Sequence, residues 1–190
     1  MFDKDGVIDL GLKPVEVVKL IGAKVGEEAQ LGQPEIRVGI LPGAGGTQRL
    51  PRWIGLERAA EMIRSARPIS SEQALELGLI SELVDDDLEA RAIALAKALA
   101  AGERDRPTIR REPLENVPSE LPAVDIKFRS RKVDEIVCKA LLGGAKLPLR
   151  EAIAYEAECF GEVCGTKDMR IGVDNFLQNG PRAKAAFVHE

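Results

Sequence analysis

A glutamate and a glycine-rich turn, eight residues apart, supply residue types that can move a proton. Glu35 precedes the sequence Pro42-Gly43-Ala44-Gly45-Gly46-Thr47. Pro42 fixes φ and ends the preceding element, while the glycines permit φ above zero and close approach of a ligand. A helix over residues 48–54, capped by Thr47 or a nearby glycine, would then present N–H groups that favour an anion or an oriented water. The combination predicts proton transfer at a carboxylate facing backbone donors.

Two other interpretations of these residues are open. Residues 42–46 are typical of a tight connection and Glu35 of a solvated loop carboxylate, and composition alone favours this structural role. A nucleotide-phosphate loop is the weakest interpretation, because it needs Gly-Lys-Ser/Thr, whereas Gly46 is followed by Thr47 and Gln48.

The whole string resembles the crotonase superfamily, in particular its enoyl-CoA hydratase/isomerase branch. The similarity runs without insertions from about residue 29 through residues 49–52 to residue 80, and the C-terminal third through Lys184 and Phe187 is similar to the family's tail. The resemblance implies an α/β crotonase-like fold, with an incomplete ββα spiral core and a helical C-terminal region.

The resemblance also implies roles for four residues. Glu35 matches the family glutamate that exchanges a proton with the acyl-CoA substrate beside the thioester, and Gly43 matches the glycine whose N–H orients the attacking water. Burial near a backbone donor would raise the pKa of Glu35 towards working pH. In the tail, Lys184 would pair with a CoA phosphate and Phe187 would lie against adenine, whereas a frayed terminus is the alternative.

The function that follows is hydration of a 2-enoyl-CoA thioester by a lyase with Glu35 as proton donor and acceptor. An isomerase or hydrolase of the same family would use the same scaffold. The substrate would be an acyl-CoA thioester, coenzyme A would enter only as part of it, and no metal or other cofactor is expected. Family members associate as trimers or pairs of trimers, so a homotrimer or hexamer is implied.

The N-terminal part of the family pattern is not recognisable. Family members carry there an early loop and a Gly-Gly-Gly segment that supply two oxyanion-hole N–H groups, followed by a second catalytic glutamate. Glu16, Glu27 and Glu28 lie in residues 1–28 without such a motif. Since losing one oxyanion-hole donor typically costs ~10²–10³ in rate, activity of the chain alone is in doubt. We expect a fragment, a natural short form, half of a split site, or a non-catalytic subunit.

Composition narrows the class of protein. The 190 residues suffice for one domain with a sizeable core, and 45% hydrophobic with 31% charged residues argues against global disorder. A formal net charge of −4 gives no case for a nucleic-acid partner. No apolar run approaches the ~20 residues of a membrane span, and the acidic start is unlike a secretory signal. The expectation is a cytoplasmic protein without a membrane or nucleic-acid partner.

The cysteines and the histidine suggest no metal or disulfide chemistry. The cysteines, Cys138, Cys159 and Cys164, are odd in number and lack Cys-x-x-Cys spacing, so reduced core thiols are the simplest interpretation. His189 is the single histidine, which excludes His-dependent triads within the chain.

Apolar spacing predicts a fold that becomes helical. Helices are predicted over residues 56–65, 70–78 and 88–102, the second beginning with a capping box of Ser70 and Gln73. A weak pattern over 7–25 favours a strand followed by a short helix, and residues 79–84 favour a short strand. Three C-terminal helices are predicted from the faces Val133/Val137/Leu141, Ile153/Ala157/Phe160 and Met169/Val173/Phe176/Leu177, each expected to form core or a subunit interface.

Four prolines suggest how the chain is divided. Pro107, Pro113, Pro118 and Pro122 predict an extended segment without regular structure. The resulting division is an incomplete crotonase-like core over 1–102, a Pro-rich linker over 103–123 and a helical region over 124–190.

Overall fold

The computed structural model of the chain describes residues 29–84, 87–105 and 108–190. These residues form two compact units. The first, here called the strand unit, consists of the described residues up to Leu31 and from Ile69 to Ile109. The second, here called the helix unit, consists of Gly32–Pro68 and Arg110–Glu190. The strand and helix predicted over 7–25 lie outside the described residues. The division at residues 102 and 123 stays a prediction.

The helices and strands of both units follow the chain in this order: β1 (Gln30–Leu31), a 3₁₀ helix (Glu35–Val38), α1 (Gly46–Ile54), α2 (Leu56–Ser65), β2 (Ile69–Ser70), α3 (Ser71–Glu76), α4 (Leu88–Ala101), α5 (Arg131–Ala145), α6 (Leu149–Cys164) and α7 (Lys167–Asn179). None of the helices in the described ranges is long and apolar enough to cross a membrane.

In the strand unit, β1 and β2 form a short antiparallel pair. Leu31 lies opposite Ile69, and Gln30 opposite Ser70. Ser70 also begins α3 as predicted, because its hydroxyl accepts a hydrogen bond from the Gln73 N–H while the Gln73 side chain accepts one from the Ser70 N–H. These reciprocal bonds satisfy two donors that a helix start leaves free.

The strand predicted over residues 79–84 is wrong. The N–H groups of Leu79 and Ile80 both donate to the carbonyl of Ala74, at 2.8 and 3.3 Å. These donors therefore close the end of α3 and are not available to a neighbouring strand. The apolar residues that suggested a strand are buried in the strand unit, with Leu79 1% and Ile80 2% exposed.

Helix α4 has the predicted extent but not a buried face. It begins after Asp87, whose side chain accepts from the Ala90 N–H, and ends at Ala101, before Gly102. Among the described residues, no side chain of α4 is fully buried. The residues of its predicted apolar face are half-buried: Leu88, Ala92, Leu95, Leu99.

The core of the helix unit lies between α5, α6, α1 and α2. The predicted face of α5 is confirmed, because Val133, Val137 and Leu141 are each 0% exposed. Arg64 of α2 is also bound to Asp134 of α5 by two charge-assisted hydrogen bonds of 2.8 Å. This bidentate pair fixes the rotation of the two helices.

The predicted apolar face of α6 is not the side that is buried within this chain. Ala157 is exposed and Ile153 and Phe160 are only half-buried. The buried side is adjacent to that face and follows a spacing of three and four residues: Leu149, Ala152, Glu156, Cys159, Val163. The apolar pattern was misleading because one position of the buried side is a glutamate.

The predicted apolar face of α7 is only partly buried within this chain. Phe176 and Leu177 are 42% and 74% exposed, whereas Asp168 and Gly172 are buried. Gly172 lies against the 3₁₀ helix so closely that a Cβ there would be 2.1 Å from the Val38 carbonyl oxygen. The absence of a side chain at Gly172 therefore sets the distance between α7 and the 3₁₀ helix.

The proline-containing segment has no helix or strand over residues 110–123, as predicted. It is nevertheless bound to the helix unit. The Leu114 N–H donates to the Ala145 carbonyl at 2.8 Å, and the Leu149 N–H donates to the Arg111 carbonyl at 2.7 Å. These bonds join residues 110–123 to the end of α5 and the start of α6.

Candidate active site

Glu35 is the first residue of the 3₁₀ helix in the helix unit. Ile36, which is 0% exposed, anchors this single turn in the core, and the Gly39 N–H closes it by donating to the carbonyls of Glu35 and Ile36. Gly39 has a φ of 73°, a conformation that favours glycine. The sequence therefore holds Glu35 on a short element that is fixed at both ends.

The Glu35 carboxyl is half-buried and incompletely bonded. Its Oε2 atom is buried, and no hydrogen-bond partner for it exists among the described residues. Burial raises the pKa of Glu35, the N–H of its own backbone opposes that shift, and the negative charge of Glu156 raises the pKa further. A carboxyl with a raised pKa keeps its proton at a higher pH than an ordinary glutamate does, and it can still release that proton.

The glycine-rich turn begins α1 as predicted. Ala44 and Gly45 have φ values of 52° and 83°. One alanine and one glycine of the turn therefore adopt the left-handed conformation. The Gly46 N–H donates to the Gly43 carbonyl at 2.9 Å. Gly45 is the N-cap of α1, and no side chain of the turn itself caps the helix.

The N–H groups at the start of α1 are bound to Glu156, which projects from the buried side of α6. The Gly45 N–H donates to Glu156 Oε1 at 2.6 Å, and the Thr47 N–H donates to Oε2 at 2.8 Å. The Thr47 hydroxyl adds a third bond to Oε2 at 2.5 Å. The sequence predicted an anion or a water at this helix start, and the structure places an internal carboxylate there.

The two glutamates have different surroundings. Burial raises the pKa of Glu156, but the bonds from Thr47 and Gly45 and the positive charge of Arg49 favour its ionised form. Glu35 Oε2 has no such donor among the described residues. Hydrogen bonds to the ionised form of a carboxyl favour that form. Glu156 has three such bonds, whereas Glu35 Oε2 has none among the described residues.

Sequence analysis did not single out Glu156. Glutamates are among the residues that are least often fully buried, so a helical glutamate is interpreted as solvated. The signal was its position between Ala152 and Cys159 at spacings of four and three, in phase with the buried side of α6. A charged residue in phase with a buried stripe indicates a bonded partner inside.

Gly43 lies at the exposed edge of the turn. A Cβ at this position would be 3.8 Å from the nearest ring carbon of Phe160. Within the described residues, no hydrogen bond uses the Gly43 N–H. The Gly43 N–H is therefore able to donate to a water or a ligand.

The C-terminal tail is bound to the helix unit rather than frayed. The N–H groups of Val188 and His189 donate to the Asp168 carboxylate at 2.7 and 2.9 Å. Phe187 packs against Gly39, since one of its ring carbons is 3.1 Å from where a Cβ of Gly39 would lie. The Lys184 ammonium lies 5.1 Å from the centre of the Phe128 ring. Lys184 and Phe187 are thus held on the same unit as Glu35.

A groove of about 320 Å³ also opens in the helix unit. It runs between α2 and residues 122–125, and neither Glu35 nor Gly43 lines it. In the described part of the chain, no three His, Cys, Asp or Glu side chains are close enough together to hold a metal ion.

Comparison with known proteins identifies the family. The family model described as enoyl-CoA hydratase/isomerase matches residues 23–117, half of the chain. The chain belongs to this family. The resemblance to the crotonase superfamily is thereby confirmed. The residues that match the family model include Glu35 and the glycine turn.

Two relatives and one solved structure show how much of the family is represented. The "Probable enoyl-CoA hydratase" of Bacillus subtilis (strain 168) is 39% identical over 152 residues, which are 80% of this chain and 49% of that protein. The fatty acid oxidation complex subunit alpha of Psychrobacter sp. (strain PRwf-1) is 31% identical over 179 residues, 87% of this chain and 25% of the relative. The chain therefore spans about half the length of the first relative and a quarter of the second.

The predicted fold class is confirmed as a partial crotonase-like α/β fold. The crystal structure of an enoyl-CoA hydratase/isomerase from Pseudoalteromonas atlantica T6c matches with a TM-score of 0.50 at 18% identity. The match covers 82% of this chain and 52% of the other. At that identity the similarity concerns the fold alone.

Proposed function

We propose that this chain takes part in the hydration of a 2-enoyl-CoA thioester, with Glu35 giving and taking the proton. The supporting observation is the buried, unpartnered Oε2 atom of Glu35, whose carboxyl has a pKa raised by burial. A general acid–base needs a pKa near working pH and an atom free to reach the substrate. Membership of the enoyl-CoA hydratase/isomerase family supports the substrate class.

The proposed step adds one water across the C2=C3 bond. The water oxygen bonds to C3, the π electrons of the double bond take a proton at C2 from Glu35, and the proton that the water gives up returns to Glu35. The Gly43 N–H donates to the water before attack and so orients it. Since Gly43 is exposed while Glu35 Oε2 is buried, the step would take place where the turn meets solvent.

Binding of the coenzyme A part of the substrate belongs to the same proposal. Lys184 would pair with a phosphate and Phe187 would lie against adenine, and the tail that carries both is bonded to Asp168. No cofactor beyond the CoA of the substrate is required for adding water. A homotrimer or hexamer in the cytoplasm is the proposed assembly and location.

Isomerisation of the enoyl group is the second candidate. The family description includes both activities. A single unpartnered carboxyl can take a proton from one carbon and return it to another, so Glu35 would serve either reaction.

The test is turnover of a short 2-enoyl-CoA by the purified chain, by Glu35→Gln and by Glu158→Gln. The control removes the same charge from an exposed position of α6. We expect hydration by the wild type and by Glu158→Gln, and a loss of about 10²-fold or more in Glu35→Gln. Undiminished hydration by Glu35→Gln would refute the proton role. If none of the three turns over the substrate but acyl-CoA still binds, the chain is a non-catalytic or incomplete subunit and the proposal is refuted.

A further inference from the structure

We propose that Glu156 is a positioning residue of this site: it holds the 43–47 turn so that the Gly43 N–H is aimed at the reacting water, and its negative charge acts on Glu35. This inference rests on the proposed function. It concerns a residue on α6, outside the residues 23–117 that match the family model.

The first support is that Glu156 binds the second half of the turn, two residues after Gly43. Its two carboxylate oxygens bind the N–H of Gly45 and the N–H and hydroxyl of Thr47 within 2.5 to 2.8 Å. Ala44, the residue before Gly45, has a φ of 52°, a conformation that costs a non-glycine residue about 1 kcal/mol or more. Such a turn persists only when the surroundings fix it, and Glu156 supplies three of the bonds that do so.

The second support is the rigidity of the element that carries Glu156. Its neighbours on the buried side of α6 are Ala152 and Cys159, both 0% exposed, and Glu156 itself is 2% exposed. A side chain packed in this way on a long helix cannot swing away from the turn. Rigid support of this kind is what holds a reacting group in its productive geometry.

The third support is the charge pattern around the two carboxyls. Glu156 acts on Glu35 as a like charge, and Arg49 acts on Glu156 as an opposite one. Arg49 is itself bound to the Ala44 carbonyl. Helix α1 therefore supplies a cation that acts on Glu156, while Glu35 is left with a negative neighbour.

Two buried charged groups on the elements that pack against the 3₁₀ helix have partners of their own. On α2, Arg64 is bound to Asp134 at 2.8 Å. On α7, Asp168 accepts hydrogen bonds from Ser130 and from the tail. The charge that raises the pKa of Glu35 is that of Glu156.

Replacement of Glu156 by Gln separates a positioning role from a purely structural one. Glutamine keeps the shape and one acceptor oxygen but removes the charge. If Glu156 only fastens α6 to α1, Glu156→Gln would change stability and leave Glu35 as it was. If Glu156 also holds the proton on Glu35, the titration midpoint of Glu35 must fall when the charge is removed.

The experiment is a ¹³C NMR titration of the Glu35 carboxyl in the wild-type chain, Glu156→Gln and Glu158→Gln. We expect a downward shift of the Glu35 midpoint in Glu156→Gln and none in Glu158→Gln. An unchanged midpoint in Glu156→Gln would overturn the inference. In the wild type, the amide protons of Gly45 and Thr47 report on Glu156, and we expect them to titrate at lower pH than Glu35 does.

The wild-type titration keeps the inference testable if Glu156→Gln does not fold, because the reverse order of titration would also overturn it. Since neither measurement needs a substrate, failure of the inference is distinguishable from failure of the proposed function. A wild type that titrates as expected but does not hydrate enoyl-CoA would refute only the function. A wild type that hydrates, with an unshifted Glu35 midpoint in Glu156→Gln, would refute only the role of Glu156.

Discussion

Glu156 Oε2 accepts hydrogen bonds from both the backbone N–H and the hydroxyl of Thr47, at 2.8 and 2.5 Å, although 109 residues separate them. Helix α1 is therefore capped by a side chain from α6 and not by one of its own residues. The conformation of the glycine turn depends on the packing of the C-terminal helices.

The stability of the chain should depend strongly on this contact. Glu156→Ala leaves the buried donors of Gly45 and Thr47 without their acceptor, and each such donor costs about 1–3 kcal/mol. We expect a loss of about 3 kcal/mol or more in the free energy of unfolding, measured by urea denaturation. Glu158→Ala, on the exposed side of the same helix, should change it by less than about 0.5 kcal/mol. Equal stability of the two variants would contradict the capping role.

The contribution of Glu35 to stability should depend on pH in a defined direction. Because the folded-state pKa of Glu35 is raised, its stabilising contribution is fully present below the ordinary value of 4.5 and is lost as pH rises through the raised pKa. The side chain of Glu35→Gln stays neutral, so this variant does not lose stability in that way. The difference in unfolding free energy, Glu35→Gln minus wild type, should therefore increase as pH rises above 4.5. Denaturation at a series of pH values tests this, and a gain that shrinks with rising pH would have the wrong sign.

The close approach of α7 to the 3₁₀ helix should not tolerate a methyl group. In Gly172→Ala the new Cβ would be 2.1 Å from the Val38 carbonyl oxygen, so backbone must move. We expect a destabilisation of about 1–3 kcal/mol, together with slower hydration, because the displaced turn carries Glu35.

Gly161→Ala is the matched control for Gly172→Ala. Gly161 lies within α6, and nothing surrounds a Cβ there within 4 Å. Removing a helical glycine without a clash should stabilise the chain by up to about 1 kcal/mol. Thermal denaturation of the two variants should give shifts of opposite sign, and shifts of the same sign would contradict the packing.

The three cysteines should differ in reactivity. They are free, and Cys164 is exposed, Cys138 half-buried and Cys159 buried. Burial raises the pKa of Cys138 to about 11, so its thiolate is roughly one part in a thousand at pH 8. Timed alkylation followed by peptide mass spectrometry should find Cys164 modified first. Labelling of Cys138 ahead of Cys164 in the folded chain would contradict the assignment.

Local signals in the sequence predicted the helices well. The capping box of Ser70 and Gln73 and the apolar spacing of Val133, Val137 and Leu141 each depend on residues within a few positions of one another. The glycine turn and Glu35 were also recognisable locally, because the family motif is contiguous.

Features that depend on tertiary contacts were not predicted. The pairing of Leu31 with Ile69 joins two strands of two residues each, too short to leave a periodic pattern. The buried side of α6 was assigned to the wrong residues because Glu156 interrupts its apolar stripe. The bonded partner that makes this burial tolerable, Thr47, lies too far along the chain for spacing to reveal it.

The central claim, that Glu35 exchanges the proton, is tested most directly by converting a short 2-enoyl-CoA in D₂O and measuring deuterium at C2 by NMR. We predict one deuterium at C2 of the product from the wild type and from Glu158→Gln. In Glu35→Gln the rate of incorporation should fall about 10²-fold or more. Deuterium incorporation at the wild-type rate in Glu35→Gln would contradict the account.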